Sequence, residues 1–170
     1  QLLKTASSLG MLKLVLSARD TQGRTCLHYA AQQHLVDLVG RVVGDEEIAD
    51  MTDFQGNSAL HLASSHQGNS KDSFDQIQVV NVLATNSTAI NQMDKLGKTP
   101  LHYATTGEVV QCLCSLGAIV DIQDFEGISP FTQAVAEGRT EAADALRGLG
   151  ANCAPNLNID LRGSSDMYKY

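Results

Sequence analysis

Tryptophan is absent, and aromatic residues make up only 5% of the chain. A core must therefore be assembled from Leu, Val, Ala and Ile, side chains that suit closely packed helices. No apolar run approaches the roughly 18 residues that would read as a membrane span. No basic start followed by an apolar stretch reads as a signal peptide. Basic residues are also few, with 12 Lys and Arg against 19 Asp and Glu and a formal net charge of -7. Nucleic-acid binding usually shows as a basic patch or stripe, because neutralising phosphates supplies much of the affinity. The cations here are scattered, which argues against a direct nucleic-acid or anionic-membrane role. The sign of the net charge favours a basic partner through long-range steering.

The four cysteines, Cys26, Cys112, Cys114 and Cys153, form no CxxC pair and stand at no zinc-finger spacing from a histidine. Cys112 and Cys114 lie two apart in a helical pattern and so point to different faces. All four read as reduced thiols of an intracellular protein. Gly97-Lys98-Thr99 has the look of the end of a phosphate-binding loop, but that loop needs a glycine where Gln92 stands. No nucleophile elbow, HExxH or DFG-like segment occurs. Asn86-Ser87-Thr88 fits a glycosylation acceptor, a pattern short enough to arise by chance. No catalytic residue, metal or cofactor is expected.

What the chain does contain is self-similarity. DTQGRTCLHYA at residues 20–30, DFQGNSALHLA at 53–63, DKLGKTPLHYA at 94–104 and DFEGISPFTQA at 124–134 share the pattern D-x-x-G-x-[TS]-x-[LF]-[HT]-x-A. Asp opens a turn by bonding its own backbone, and the glycine three residues on supplies a positive φ. Thr or Ser then caps a helix, and Pro100 and Pro130 fall at its first position, where a missing N–H costs nothing. Leu, followed by Ala three residues later, forms a short apolar stripe.

A second helix follows each time, with stripes at Leu38, Val39, Val42 and Val43; at Val79, Val80, Leu83 and Ala84; at Val109, Val110 and Leu113; and at Ala142, Ala143 and Leu146. Gly117-Ala118 and Gly150-Ala151 read as helix stops. Gly23 and Gly56 are 33 residues apart, Gly56 and Gly97 41, and Gly97 and Gly127 30. Thr99-Pro-Leu-His-Tyr-Ala104, the period of 33 and the paired helices together resemble the ankyrin repeat. The resemblance covers residues 1–153. It implies an all-α solenoid of helix-turn-helix units with β-hairpin-type fingers, about four full repeats plus a partial N-terminal one. It further implies that His28, His61 and His102 link neighbouring repeats through backbone and Thr hydrogen bonds.

Repeats are expected at about residues 1–19, 20–52, 53–93, 94–123 and 124–153, with residues 154–170 a C-terminal cap or tail. Several features depart from the family pattern. Leu2, Leu3 and Ala6, then Leu12, Leu14, Val15 and Leu16, read as the helices of the partial repeat, joined to Asp20 by a link that is short or has lost residues. His34 stands where a glycine usually ends the first helix. An insertion of about eight residues falls within residues 64–75. Thr105-Thr106-Gly107 marks a three-residue shortening that must clip the first helix of that repeat. Thr132 replaces the motif histidine. His34 and His66 are expected at the surface. Leu157, Ile159, Leu161 and Met167 suggest that the tail packs against the array.

Such a stack offers two binding surfaces, the row of finger tips and the concave face of first helices. At the tips the varying residues are Thr21, Gln22 and Arg24; Phe54, Gln55 and Asn57; Lys95, Leu96 and Lys98; and Phe125, Glu126 and Ile128. Phe54, Leu96 and Phe125 would form either an apolar interface or a packing that stiffens the row. Gln32, Gln33, Ser65 and His66 are candidates on the concave side, and Tyr29 and Tyr103 line the groove or pack half-buried. The resemblance implies a non-catalytic adaptor, scaffold or targeting module. The alternative is a regulatory ankyrin block of a transcription regulator, or of an enzyme or channel. The sequence, which opens at Gln1 inside an apolar helical pattern, is read as a monomeric fragment of a larger cytoplasmic or nuclear protein.

Overall fold

The computed structural model describes residues 14–44, 46–65, 73–87 and 90–153. Among these residues the helices in chain order are α1 (Cys26–Gln32), α2 (Val36–Val42), α3 (Glu46–Ala49), α4 (Ala59–Ser64), α5 (Ser73–Asn86), α6 (Pro100–Tyr103), α7 (Gly107–Ser115), α8 (Pro130–Ala136) and α9 (Thr140–Gly148). The first helices α1, α4, α6 and α8 pack side by side in one layer. The second helices α2, α5, α7 and α9 form the other, each against the next. The turn α3 had no counterpart in the sequence reading; Ile48 and Ala49 bury it against the core. Among the described residues the only β feature is an isolated antiparallel bridge between Thr52 and Ser58, so the fingers are tight turns.

The core is one continuous stripe running through the stack. Leu27, Leu60 and Leu101 from the first helices meet Val39, Val80, Leu83, Val110, Leu113 and Leu146 from the second, all essentially inaccessible to water. Burying each such aliphatic side chain stabilises by roughly 1.5–3 kcal/mol. The stripe expected on α2 is narrower than the sequence suggested. Val39, Val42 and Val43 are buried but Leu38 is exposed, because a rotation of about 100° per residue puts it at the stripe's edge. Residues 14–16 form a helical turn in which Leu16 packs against the core while Leu14 and Val15 face out. The other residues assigned to the partial repeat lie outside the described residues.

The two glycine stops behave as expected. Gly117 and Gly150 take φ of 105° and 86°, and the N–H groups of Ala118 and Ala151 reach back to the carbonyls of Leu113 and Leu146, each at 3.0 Å. His34 corrects the sequence reading. It takes the same left-handed backbone, φ 53°, and is buried, only 2% exposed. The turn carries its imidazole to the end of α4, where Nε2 lies 3.3 Å from the Ala63 carbonyl. Gln76 Nε2, from the start of α5, donates to that same carbonyl at 3.1 Å.

The shortened repeat shows its deficit in α6, which has only four residues. Its open carbonyls are taken by the following repeat: Arg139 Nη1 donates to His102 O at 2.9 Å and to Ala104 O at 3.2 Å. Of the inserted segment, residues 73–75 form the first turn of α5. His66 and the rest of the insertion, residues 66–72, lie outside the described residues, as does the tail, residues 154–170.

Candidate interaction surface

Each finger is built around its aspartate. In all four, Asp Oδ1 accepts two backbone N–H groups: from Gln22 and Arg24 at Asp20, Gln55 and Asn57 at Asp53, Leu96 and Lys98 at Asp94, and Glu126 and Ile128 at Asp124, all at 2.8–2.9 Å. The same backbone bond closes every turn, from the glycine N–H to the aspartate carbonyl, at 3.0 Å. Successive fingers are then joined main chain to main chain. Phe54 N–H donates to Gln22 O at 2.9 Å, Lys95 N–H to Gln55 O at 2.9 Å, and Phe125 N–H to Leu96 O at 3.1 Å.

A second set of bonds runs beneath the fingers. His28 Nε2 lies 3.1 Å from Asn57 O, His61 Nε2 3.1 Å from Lys98 O, and His102 Nε2 3.0 Å from Ile128 O. A carbonyl only accepts, so each Nε2 carries the proton and each Nδ1 is the acceptor. Nδ1 takes the N–H and the hydroxyl of the capping residue: 3.1 and 2.9 Å from Thr25 to His28, 3.1 and 2.9 Å from Ser58 to His61, and 3.0 Å for both from Thr99 to His102. These hydroxyls thus serve the histidine. Ser129, facing Thr132 in place of histidine, instead accepts the Thr132 N–H at 3.3 Å. Burial lowers the pKa of all three imidazoles against the pull of their backbone bonds. They are neutral structural links, as the resemblance implied.

The predicted tip residues stand where the turns place them. Phe54, Leu96 and Phe125 are 54%, 58% and 73% exposed. Both packing and exposure hold for the two phenylalanines. A Cβ added to Gly23 would strike the Phe54 ring at 2.5 Å, and one at Gly97 the Phe125 ring at 2.7 Å. Each ring thus lies over the glycine of the preceding finger and shows its outer side to solvent. Gln22, Gln55, Lys95 and Glu126 are exposed beside them. Arg24 is half-buried; its Nε is 3.5 Å from Asp53 Oδ2, and its guanidinium sits 5.9 Å from the Tyr29 ring centroid. Thr21, Gln22, Arg24, Asp53, Phe54 and Gln55 line a shallow cavity of about 370 Å³ between the first two fingers.

On the first-helix side, Tyr29 and Tyr103 close onto their own fingers. The Tyr29 hydroxyl donates to Asp20 Oδ2, and that of Tyr103 to Asp94 Oδ2 at 2.6 Å. The Tyr29 bond, with the backbone N–H groups, holds Asp20 below the usual carboxylate range. Burial, then the bond to Asp94, raises Tyr103 well above an ordinary phenol. Tyr29 is exposed, whereas Tyr103 is half-buried and stands edge-on to His61 at 5.9 Å. Gln32 is half-buried, accepting from Arg24 at 3.4 Å, and Gln33 is exposed. Ser65 is removed from the surface set, since it is buried with its hydroxyl on the Leu62 carbonyl.

Burial pushes the thiols of Cys26, Cys112 and Cys114 up, which keeps them protonated at neutral pH. Among the described residues no group of three His, Cys, Asp or Glu could hold a metal, and no helix is long and apolar enough to cross a membrane.

Comparison with known proteins gives the same frame. The family model described as ankyrin repeats (3 copies) matches residues 71–157. The probable 26S proteasome regulatory subunit p28 of Saccharomyces cerevisiae is 29% identical over 133 residues, 75% of this chain and 55% of that protein. NF-kappa-B inhibitor alpha of Gallus gallus is 27% identical over 104 residues, 59% of this chain and 30% of that protein. Transient receptor potential cation channel subfamily A member 1 of Homo sapiens is 32% identical over 152 residues, 88% of this chain and 13% of that protein. The chain thus spans from about a tenth to just over half the length of the relatives it matches. Ankyrin repeats are protein–protein interaction modules. With its paired helices, its histidine links between repeats and the matched residues 71–157, the chain belongs to the ankyrin-repeat family.

Proposed function

We propose that this chain is a non-catalytic docking module whose partner protein lies along the finger row and the adjoining first helices. The observation that carries this reading is the line of exposed apolar side chains, Phe54, Leu96 and Phe125, on fingers fixed by backbone bonds. An interface gains from rigid apolar anchors, which lose little conformational freedom on binding. Gln22, Arg24, Gln55, Lys95 and Glu126 supply the polar rim, and Tyr29, Gln32, Gln33, His66 and Tyr103 the concave side. The array takes residues 1–153, in the repeats set out above, and the tail residues 154–170. The module acts as a monomer inside the cell, in the cytoplasm or nucleus, without direct contact to nucleic acid or membrane. Four unpaired cysteines and relatives named for the 26S proteasome and a nuclear factor support that placement.

A second reading makes it the regulatory block of a larger transcription regulator, enzyme or channel. It is favoured by the small share of the NF-kappa-B p105 subunit of Gallus gallus and of the human channel that the chain spans, 15% and 13%. The test is a photo-crosslinking residue at position 96, with Phe54→Ala, Phe125→Ala as a folded control. A crosslinked protein lost in the control supports the finger row. Crosslinks only from positions 29 or 33 would move the site to the concave side. Crosslinks only to the chain's own flanks would favour the second reading.

A further inference from the structure

In each finger the aspartate's Oδ1 holds the turn, which leaves Oδ2 for a second donor. The residue nine positions after the aspartate shows which way Oδ2 faces. The hydroxyls of Tyr29 and Tyr103, on the first helices α1 and α6, donate to Asp20 Oδ2 and Asp94 Oδ2. In the second finger that position is Leu62, which has nothing to donate, and two other residues take over. Asn57 Nδ2 donates to Asp53 Oδ2 at 3.3 Å, and Arg24 Nε, from the finger before, stands 3.5 Å from the same oxygen. The fourth finger lacks such a donor. Asp124 is 5% exposed, and its Oδ2 is buried without a hydrogen-bond partner. Gln133 occupies the tyrosine position, but its amide donates to Glu137 and its carbonyl oxygen accepts Lys98 Nζ at 3.1 Å. Lys98 is the third finger's counterpart of Arg24, four residues after its aspartate, so the cation placed to serve Asp124 is committed elsewhere.

We infer that Asp124 Oδ2 is the anchor point for a basic side chain, arginine or lysine, brought by the partner protein. The inference rests on the docking proposed above and names the chemistry that the fourth finger selects. A buried carboxylate oxygen without a donor costs stability. A cation supplies a charge-assisted bond, about twice as strong as one from a neutral group. The second finger shows that a guanidinium fits beside this oxygen. The surroundings favour the same sign of partner: Glu126 on the finger and Glu137 on the first-helix side are exposed. The neighbouring cations are already engaged, Lys98 on Gln133 and Arg139 on Glu137 and the His102 and Ala104 carbonyls. Access is from the first-helix side, the direction from which Tyr29 and Tyr103 reach their own aspartates. There the incoming cation displaces the half-buried Gln133 side chain.

The probe is a library of random peptides displayed on phage, selected on the intact chain, with the tightest binders then synthesised. The expected binders carry an arginine or lysine whose replacement by glutamine weakens binding about tenfold or more. Asp124→Asn keeps the Oδ1 acceptor for the Glu126 and Ile128 N–H groups and removes the Oδ2 acceptor. It should weaken the unaltered peptide by the same factor and the glutamine peptide no further. Gln133→Tyr, which brings the array's own hydroxyl to Oδ2, should do the same in a chain that melts higher than the parent. A basic residue that matters equally in Asp124→Asn and the parent would overturn the inference. So would binders without a basic residue; if these still need Phe54 and Phe125, the finger row stands and only the role of Asp124 falls. Binders that need Asp124 but tolerate Phe54→Ala, Phe125→Ala would uphold the inference and move the docking off the apolar tips. No binder at all would overturn both.

Discussion

His61 and Lys98, 37 residues apart in sequence, are fastened by a single bond from Nε2 to a main-chain carbonyl at 3.1 Å. The same imidazole holds the start of its own helix through Ser58. One neutral side chain thus closes a helix cap and a repeat boundary together.

Acid should therefore loosen the array. Burial sets the folded-state pKa of His28, His61 and His102 below the ordinary value of 6.5. Below about pH 6.5 the unfolded chain binds protons that the folded chain refuses, so stability is full above that pH and falls as pH drops towards the folded values. The urea midpoint at pH 5 should lie clearly below that at pH 7.5. His61→Ala, less stable by about 2–4 kcal/mol at pH 7.5 because the Lys98 carbonyl loses its donor, should lose less than the parent on acidification.

His34 combines a positive φ with a useful side chain. His34→Gly relieves the backbone but gives up the bond to Ala63. His34→Ala gives up the bond and keeps the strain. The alanine variant should be the less stable of the two by about 1 kcal/mol, as read from urea midpoints. Equal stability would mean that the left-handed turn is not retained.

Asp124 lacks what its relatives in the array possess. Asp20 and Asp94 receive a tyrosine hydroxyl on Oδ2, whereas the buried Asp124 Oδ2 has no hydrogen-bond partner among the described residues. The residue in the tyrosine position is Gln133. Gln133→Tyr should raise stability by about 0.5–1.5 kcal/mol, despite losing the Lys98 amine on the Gln133 carbonyl oxygen. A melting temperature unchanged or lowered would show that the hydroxyl does not reach.

Arg139 stands in for the helical turn that α6 lacks. Removing it in Arg139→Ala leaves the His102 and Ala104 carbonyls without its donor and should cost about 1–3 kcal/mol. Arg139→Lys should recover only part of this, because one ammonium on a shorter side chain cannot serve the two carbonyls and Glu137 together, as Nη1 and Nη2 do. Faster amide exchange in α6 than in α1 would locate the damage.

The turn, cap and stop residues were legible in sequence because each acts on its immediate neighbours. Asp94, Gly97, Thr99 and Pro100 prescribe local backbone geometry, and the clipped α6 follows from a deletion that can be counted. The misreadings arose where the answer lay in another element. His34 looked like a surface residue because its partner, the Ala63 carbonyl, is 29 residues away. Leu38 and Ser65 were assigned from periodicity and from loop position, and only neighbouring helices decide which side of a stripe is covered. Arg139 was not singled out at all; the signal was a long cation just beyond Gly138, opposite a shortened repeat. The finger-row residues were identified as a set, yet their stacking on Gly23 and Gly97 depends on the pitch between repeats, which no single segment encodes.

The links between fingers have a consequence for how such a chain can change. Histidine bonds span 29, 37 and 26 residues, and the repeats differ correspondingly in length, but the finger-to-finger bonds stay at 2.9, 2.9 and 3.1 Å. The insertion joins the two helices of its unit in sequence, and the shortening clips a first helix at its C-terminal end, so both come after the finger turns. The finger row therefore works as a ruler with fixed graduations, while the remainder absorbs gains and losses of sequence. Evolution can lengthen, shorten or decorate the rest of each unit without moving the fingers.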